Sequence, residues 1–289
     1  MTAFLDGLEY DNELDILSHA QSSVIPGTYS YPALMQVDAM GHIMDIEPGS
    51  VGSNHITGLM MSYSTTTAVV VSAGTAFIPA LNRIVQLDGD TSVSIPASSY
   101  GITYLYIEEV NGAGQISTST VAPDTPYYGT ARAMPSDATK RYIGMVKADG
   151  SALIIPFKDT GLGGSTVLRM YTTTLENTDL RVLSDYASTT RATKSLGPSN
   201  PTALERLVSP TSDLANLYVQ SYATTGGPAA YVGYFVTGQT VPSHSVPASG
   251  SAAHYYPWVP LGANQSIWYQ CASTNNRLSV FVAGFYERR

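Results

Sequence analysis

The 289 residues include 44% hydrophobic and only 12% charged side chains, so the chain can bury a core, and this excludes a disordered protein. The formal net charge of −8 arises entirely in the first 82 residues, which contain eight acids and no Lys or Arg. An acidic segment followed by a neutral body excludes a nucleic-acid-binding protein, because such proteins present a basic surface.

The cysteine content excludes a disulfide-stabilised protein, and the hydropathy excludes a membrane-spanning helix. The single cysteine, Cys271, excludes an internal disulfide framework. No apolar run reaches 18 residues, so we expect no membrane insertion. The first residues, MTAFLDGLEY, lack the basic region of a secretory signal, so we expect no export by that route.

Residues 1–60 are predicted to form an acidic N-terminal anchoring arm of extended backbone, with a short helix over residues 12–20. Hydrophobic residues alternate with the acids, whereas a purely solvating tail would lack them. Two interpretations stay open: a solvated acidic tail, or an arm that docks on a complementary surface. For the second, the predicted anchoring residues are Phe4, Leu5, Leu8, Asp11, Leu14 and Leu17.

Residues 61–160 are predicted to form an antiparallel β module. Short runs of β-branched and aromatic residues alternate with polar ones, which is the period of a half-buried strand. The dipeptides Asn111-Gly112 and Asp149-Gly150 favour the positive φ angles of tight hairpin turns. The Gly-rich stretch that begins at Thr160 is predicted to be a flexible link and a domain boundary.

Residues 161–289 are predicted to form a C-terminal, β-rich knob domain. Six runs read as strands, and Asn200-Pro201 predicts the start of one short helix that Pro210 ends. Both faces of residues 278–286 are apolar, which predicts a strand that is buried on both sides or lies at a subunit contact. The fold class is therefore mainly β, with antiparallel modules of sandwich or barrel type.

The stretch VVVSAGTAFIPALNRIVQL, together with YLYIEE and APDTPYYGTARAMPSDATKRYIGMVK, resembles a module of tailed-bacteriophage virion appendages. Such appendages include tail fibres, head fibres and baseplate receptor-binding proteins. The later run VFVAGFYE is similar to the last strand of many phage fibre tip domains. The resemblance covers about a third of the chain well, the C-terminal part loosely and the arm not at all. It implies a homotrimeric β-rich protein and brings no catalytic residues with it.

The leading hypothesis is a non-enzymatic, structural virion appendage that is assembled in the host cytoplasm and released by lysis. Its expected partners are two further copies of itself, other virion proteins through the arm, and a host-surface polysaccharide through the knob. Two alternatives remain: a head fibre or capsid decoration protein without a receptor, and a polysaccharide-degrading spike enzyme. The absence of repeats disfavours the spike, because such enzymes are usually long β-helices.

Catalytic, metal and cofactor sites are not predicted. The chain lacks a G-x-S-x-G nucleophile elbow, and the Gly-rich stretch after Thr160 lacks the lysine of a phosphate loop. Glycoside hydrolysis needs two facing carboxylates, and no local pattern favours any pair among Glu108, Glu109, Asp179, Asp185 and Glu205.

Aromatic residues crowd the last third of the chain. Tyr and Trp combine an apolar face with a polar tip, which suits stacking on sugar rings. Packing in the core or between subunits is the other interpretation of these residues. The YYPWVP loop favours a surface, because two prolines disfavour strand pairing there. The predicted receptor-binding residues are Tyr255, Tyr256, Trp258, Trp268 and Asn275.

Overall fold

The computed structural model describes strands within residues 1–53 and then residues 54–289, apart from residues 97, 163–164, 175–176, 198–205, 223–227, 234–243 and 248–252. The described residues form antiparallel sheets, and no sheet among them closes into a barrel. Helical structure in the described part is limited to 3₁₀ turns at Pro79–Leu81, Thr178–Leu180 and Ala263–Gln265. The predicted mainly β fold is confirmed. Most of the helix predicted between Asn200 and Pro210 lies outside the described residues, and its described part, residues 206–209, is not helical.

Residues 1–53 form a compact unit of their own. Its strands are β1 (Phe4–Leu5), β2 (Leu8–Asp11), β3 (Ile16–His19), β4 (Pro32–Val37) and β5 (Ile43–Pro48). The first three form an antiparallel sheet, and β4 pairs with β5. The helix predicted over residues 12–20 is wrong, since β3 occupies that stretch. A helix this short is marginal by itself, whereas pairing with β2 satisfies the same backbone groups.

Residues 54–289 form the second compact unit. Its first half contains eleven strands, of which β6 lies in the predicted arm and the other ten begin within the predicted β module. They are β6 (Ile56–Gly58), β7 (Met61–Thr65), β8 (Ala68–Val71), β9 (Gly74–Ile78), β10 (Arg83–Leu87), β11 (Thr91–Ser94), β12 (Ile102–Val110), β13 (Ala113–Ser119), β14 (Ala133–Met134), β15 (Asp137–Lys147) and β16 (Phe157–Gly161).

The second half of this unit also consists mainly of β-strands. Its described strands are β17 (Thr166–Tyr171), β18 (Arg181–Tyr186), β19 (Ala192–Ser195), β20 (Ser212–Tyr222), β21 (Pro228–Gly233), β22 (His244–Pro247), β23 (Ala253–Tyr255), β24 (Trp258–Pro260), β25 (Ser266–Cys271) and β26 (Arg277–Arg288).

A ten-stranded sheet joins the two halves of the unit. Its strand order is β11-β8-β7-β16-β17-β26-β20-β23. In addition, β18 pairs with β26, and β24 pairs with β20. Smaller sheets have the orders β10-β9-β6, β13-β12-β15-β14 and β19-β25-β21-β22. One hydrophobic core takes buried residues from all four sheets, including Val69, Val85, Leu105, Val232 and Val280.

Strand β26 is buried on both faces, as its sequence predicts. Val280, Val282 and Phe285 contribute to the main core and are fully buried. Phe281 and Ala283 pack on the other face against Tyr218 of β20. A strand with two covered faces needs apolar residues at consecutive positions, which explains the loss of alternation in SVFVAGFYE.

The two predicted hairpin turns differ. Asn111 and Gly112 both have positive φ, 53° and 84°, and join β12 to β13 as predicted. At Asp149-Gly150 the prediction of a two-residue turn is wrong, because the turn is longer and Ala152 supplies the positive φ of 63°. Oδ1 of Asp149 accepts the N–H groups of Ser151 and Leu153 at 2.8 and 2.9 Å. Gly150 allows a close approach instead, since a Cβ there would lie 2.6 Å from the Tyr100 hydroxyl.

The Gly-rich stretch after Thr160 does not separate compact units. The strands on either side of it, β16 and β17, pair with each other, and β16 also pairs with β7. The predicted shaft (61–160) and knob (161–289) therefore share one sheet. The predicted arm boundary at residue 60 also differs from the observed division after Ser53, because Ile56 and Leu59 belong to the core of the second unit.

A buried ion pair links β16 to β17. The side chains of Asp159 and Arg169 are 0% and 1% exposed, and two bonds of 2.7 Å join them. The guanidinium also donates to the carbonyl of Met145 and lies 4.0 Å from the ring centre of Phe157. Burial alone would lower the pKa of Arg169, but the Asp159 carboxylate outweighs it and holds that pKa above its ordinary value.

Two further buried arginines fix residues 54–59 to the rest of the unit. Arg141 donates to the carbonyls of Asn54 and His55 at 3.2 and 2.7 Å. Arg289 donates to the carbonyls of Gly58 and Leu59 at 3.0 and 2.5 Å. Because buried guanidinium groups require acceptors, this short segment is part of the folded unit rather than a connecting arm.

Candidate binding surface

The outer face of the ten-stranded sheet carries a stack of three rings. Tyr218 of β20 lies between His254 and Tyr256, with ring centres 5.6 and 5.1 Å apart and the rings nearly parallel. The Tyr218 hydroxyl shares a 2.5 Å hydrogen bond with Nδ1 of His254 and accepts one of 2.9 Å from Gln220. Tyr218 is buried, whereas half of Tyr256 is exposed to solvent. The half-exposed ring of Tyr256 is therefore held in place by stacking on the buried ring of Tyr218.

Two more aromatic residues extend this stack along the sheet. Trp258 of β24 is opposite Asn216, and Tyr286 of β26 is opposite Leu214. Directly paired residues share a face, so Trp258 and Tyr286 lie on the same side as Tyr218. Their ring centres are 4.8 Å apart. We call the five residues Tyr218, His254, Tyr256, Trp258 and Tyr286 the aromatic face.

The proline-containing segment beneath this face pairs more regularly than predicted. Tyr255 and Trp258 both lie in strands that pair with β20, and the chain leaves the ladder only at Tyr256 and Pro257. The prediction that two prolines disfavour strand pairing here therefore holds at Pro257, where the ladder is interrupted, and is wrong at Pro260, which is paired. Pro260 is tolerated because β24 is an edge strand, where a missing N–H costs little.

The structure brings together only part of the predicted receptor-binding set. Tyr256 and Trp258 belong to the aromatic face. Tyr255 points the other way and packs against the main core. Trp268 lies on β25 between the core residues Ile267 and Tyr269, so its side chain is on the outer face of a different sheet, with Arg191 5.0 Å from its ring centre.

Asn275 lies apart from these rings, in the exposed turn before β26, where its N–H donates to Ser273. Tyr218 and Tyr286 were missed by sequence reasoning. Both occur in strongly apolar strands that predict core residues. Only the pairing of β20 with β24 and β26 shows that they share an outer face.

The segment that supplies most of the aromatic face carries no charge. Residues 239–276, which supply three of its five rings, contain no Asp, Glu, Lys or Arg. A surface of rings with hydroxyl and amide edges interacts by stacking and hydrogen bonding rather than by long-range electrostatics. This combination suits an uncharged ligand with both apolar and hydroxyl-bearing faces.

The predicted anchoring residues lie in the first unit, and only their strand positions are described. Phe4 and Leu5 are in β1, Leu8 and Asp11 in β2, and Leu17 in β3. Leu14 lies outside the described residues. Leu5 is opposite Leu8, and Leu17 is opposite Tyr10. Other apolar residues of this segment are opposite polar ones, since Phe4 is opposite Glu9 and Leu8 is also opposite His19.

Two of the acidic side chains considered above form ion pairs, and the cysteine is buried. Glu108 contacts Lys140 at 3.1 Å, and Glu109 contacts Arg83 at 2.5 Å. No group of three or more His, Cys, Asp or Glu there could hold a metal ion. Burial raises the pKa of the Cys271 thiol to about 11, so the thiol is protonated at neutral pH. No helix in residues 54–289, as far as they are described, is long and apolar enough to cross a bilayer.

Comparison with known proteins gave no match, since no protein-family model fits the chain and no curated protein is similar to it.

Proposed function

We propose that this protein is a non-enzymatic, trimeric appendage of a tailed-bacteriophage particle, attached by its N-terminal unit and binding a host-surface glycan through its aromatic face. The resemblance of residues 69–147 to phage appendage modules supports the class. The antiparallel β architecture and the acidic first unit, a compact unit of its own, support a structural role with a separate attachment segment.

The observation that carries the glycan assignment is the half-exposed ring of Tyr256 stacked on Tyr218, with Trp258 and Tyr286 beside it. Rigid rings contact a sugar with little loss of conformational entropy, because the stack already fixes them. Each stacking contact contributes only about 0.5–1.5 kcal/mol. Three copies on one appendage would multiply this contribution, since the second and third contacts are intramolecular.

Replacing Tyr256 and Trp258 together by Ala is expected to reduce host adsorption of assembled particles at least tenfold, because three copies each lose two stacking rings. The matched control is Trp268→Ala, which removes an aromatic ring from a different sheet and should leave adsorption unchanged. Adsorption of the unaltered particle should vary little with salt, as expected without charge steering. Unchanged adsorption in the double variant would favour a decoration protein without a receptor.

Purified protein is expected to be a trimer, with a mass in light scattering of about three times the 30.7 kDa of the chain. The low charge content and the resemblance to homotrimeric appendages are the grounds for this expectation. A stable monomer at micromolar concentration would contradict the trimeric assignment. The measurement needs no particle and is therefore independent of the adsorption experiment.

A further inference from the structure

A cavity of about 440 Å³ opens beside the aromatic face. Its volume falls within the range of about 300–1,000 Å³ that is typical of small-ligand sites. Both halves of the second unit contribute to its walls. The lining residues that matter here are Asn54, Thr130, Thr166, Asp213, Tyr286 and Arg288.

Hydrogen bonds outside the cavity hold its walls in place. Asn54 accepts from the buried guanidinium of Arg141 through its carbonyl and side-chain oxygens, at 3.2 and 3.4 Å. The carbonyl of Ser165 accepts the N–H of Arg289 at 3.0 Å, and Leu162 N–H donates to the carbonyl of Thr166 at 3.1 Å. The cavity is therefore formed before any ligand enters, which keeps the cost of ordering it low.

The chemistry of the lining indicates the class of ligand. Asp213 and Arg288 contact each other at 2.7 Å, so the wall has donors and acceptors but no excess charge. Hydroxyl and amide groups come from Thr130, Thr166 and Asn54, and the ring of Tyr286 supplies an aromatic wall. An anion such as a phosphate would lack a surplus cation, and an apolar ligand would remove water from these polar groups without offering them new hydrogen bonds. A neutral sugar meets both requirements.

Tyr286 belongs both to the cavity wall and to the aromatic face, where Trp258 packs on it. We propose that the cavity binds one neutral sugar residue, a hexose or an N-acetylhexosamine, and that the aromatic face contacts the adjoining residues of the same glycan. This inference rests on the proposed receptor function and adds to it a specific subsite and the charge of its ligand.

The test uses the full chain and three probes: methyl β-galactoside, methyl N-acetyl-β-glucosaminide and, as the charged counterpart, methyl β-glucuronide. Binding is measured by ligand-observed NMR and calorimetry. We expect at least one neutral probe to bind with a dissociation constant on the order of a millimolar, as a ligand of this size permits. The glucuronide should bind at least tenfold more weakly than that neutral probe.

Two substitutions in one hairpin turn make a matched pair. Ser165→Trp places an indole in the cavity and should weaken binding at least tenfold, whereas Leu162→Trp places the same group on an exposed residue outside the lining and should not. Tyr286→Leu, which removes the aromatic wall, provides a second test if Ser165→Trp fails to fold by circular dichroism. Its binding should also fall at least tenfold.

The inference is overturned if no neutral probe binds, if the glucuronide binds best, or if a folded Ser165→Trp or Tyr286→Leu protein binds like the unaltered one. Any of these results, combined with lost adsorption in the Tyr256→Ala/Trp258→Ala particle, would remove the cavity assignment and leave the receptor function. Unchanged adsorption in that particle would remove the receptor function, while the probes would still decide whether the cavity takes a sugar.

Discussion

Removal of residues 1–60 is expected to unfold the protein, whereas removal of residues 1–53 is expected to leave the second unit folded. The seven residues between these two starting points include the fully buried Leu59 and the nearly buried Ile56. Losing a buried side chain of this size costs about 2–5 kcal/mol. The strand β6 would also disappear from its pairing with β9.

The buried arginines increase this loss. Without residues 54–60, Arg289 loses the carbonyls of Gly58 and Leu59, and Arg141 loses those of Asn54 and His55. A buried donor without an acceptor costs about 1–3 kcal/mol, and a charged one more. Together these losses are comparable to the 5–15 kcal/mol or so by which proteins are ordinarily stable.

The measurement is the thermal unfolding and near-UV circular dichroism of both truncated proteins at one concentration. Leu59→Ala in the longer protein should give an intermediate loss of stability, because it removes only one of the lost contacts. A folded protein that starts at Met61 would contradict the role of residues 54–60. The protein that starts at Asn54 should also fail to join particles if the first unit is the attachment segment.

Asp159→Ala is expected to lower the free energy of unfolding by about 3–5 kcal/mol, because it leaves the Arg169 guanidinium buried without its carboxylate. Replacing both partners, Asp159→Leu with Arg169→Met, should cost much less, because no unpaired charge then remains in the core. Unfolding by urea, followed through Trp258 and Trp268 fluorescence at one protein concentration, gives the free energy of unfolding of the unaltered protein and of the two variants.

An exposed ion pair serves as the control for this cycle. Arg83 contacts Glu109 at 2.5 Å, but 57% of the arginine side chain is exposed. Arg83→Gln should therefore change the free energy of unfolding by less than about 1 kcal/mol. If Asp159→Ala were equally mild, the buried pair would not be an essential part of the core.

Local sequence patterns predict most strands of the second unit, because alternation and turn residues act over a few positions. Asn111-Gly112 and the two-sided strand β26 are examples. The errors have a common cause, which is that a distant partner decides the local structure. Gly150 reads as a turn residue, but its contact is with Tyr100, and Pro260 reads as a strand breaker, but it lies on an edge beside Leu214.

The candidate site was predictable only in part for the same reason. The aromatic residues Tyr256 and Trp258 stand out in an uncharged stretch and can be found by composition. Tyr218 joins them through the pairing of β20 with β23 and β24, and Tyr286 through the pairing of β20 with β26, and no local period encodes such distant pairs. The cavity depends on Asn54 and Arg288, residues from opposite ends of the second unit.

The central position of β26 has a consequence for folding kinetics. Its neighbours β17 and β20 are each bound to it along their length, and the pair Thr166–Arg288 joins residues more than a hundred positions apart. Contacts of such separation require the closure of long loops before they contribute any stability, so sheets of this type form slowly. Until residues 277–288 have left the ribosome, β17 and β20 each lack the partner strand β26. The backbone groups on that edge are then unpaired, and the apolar side chains beside them are exposed. Newly made chains are therefore most prone to aggregate in this interval.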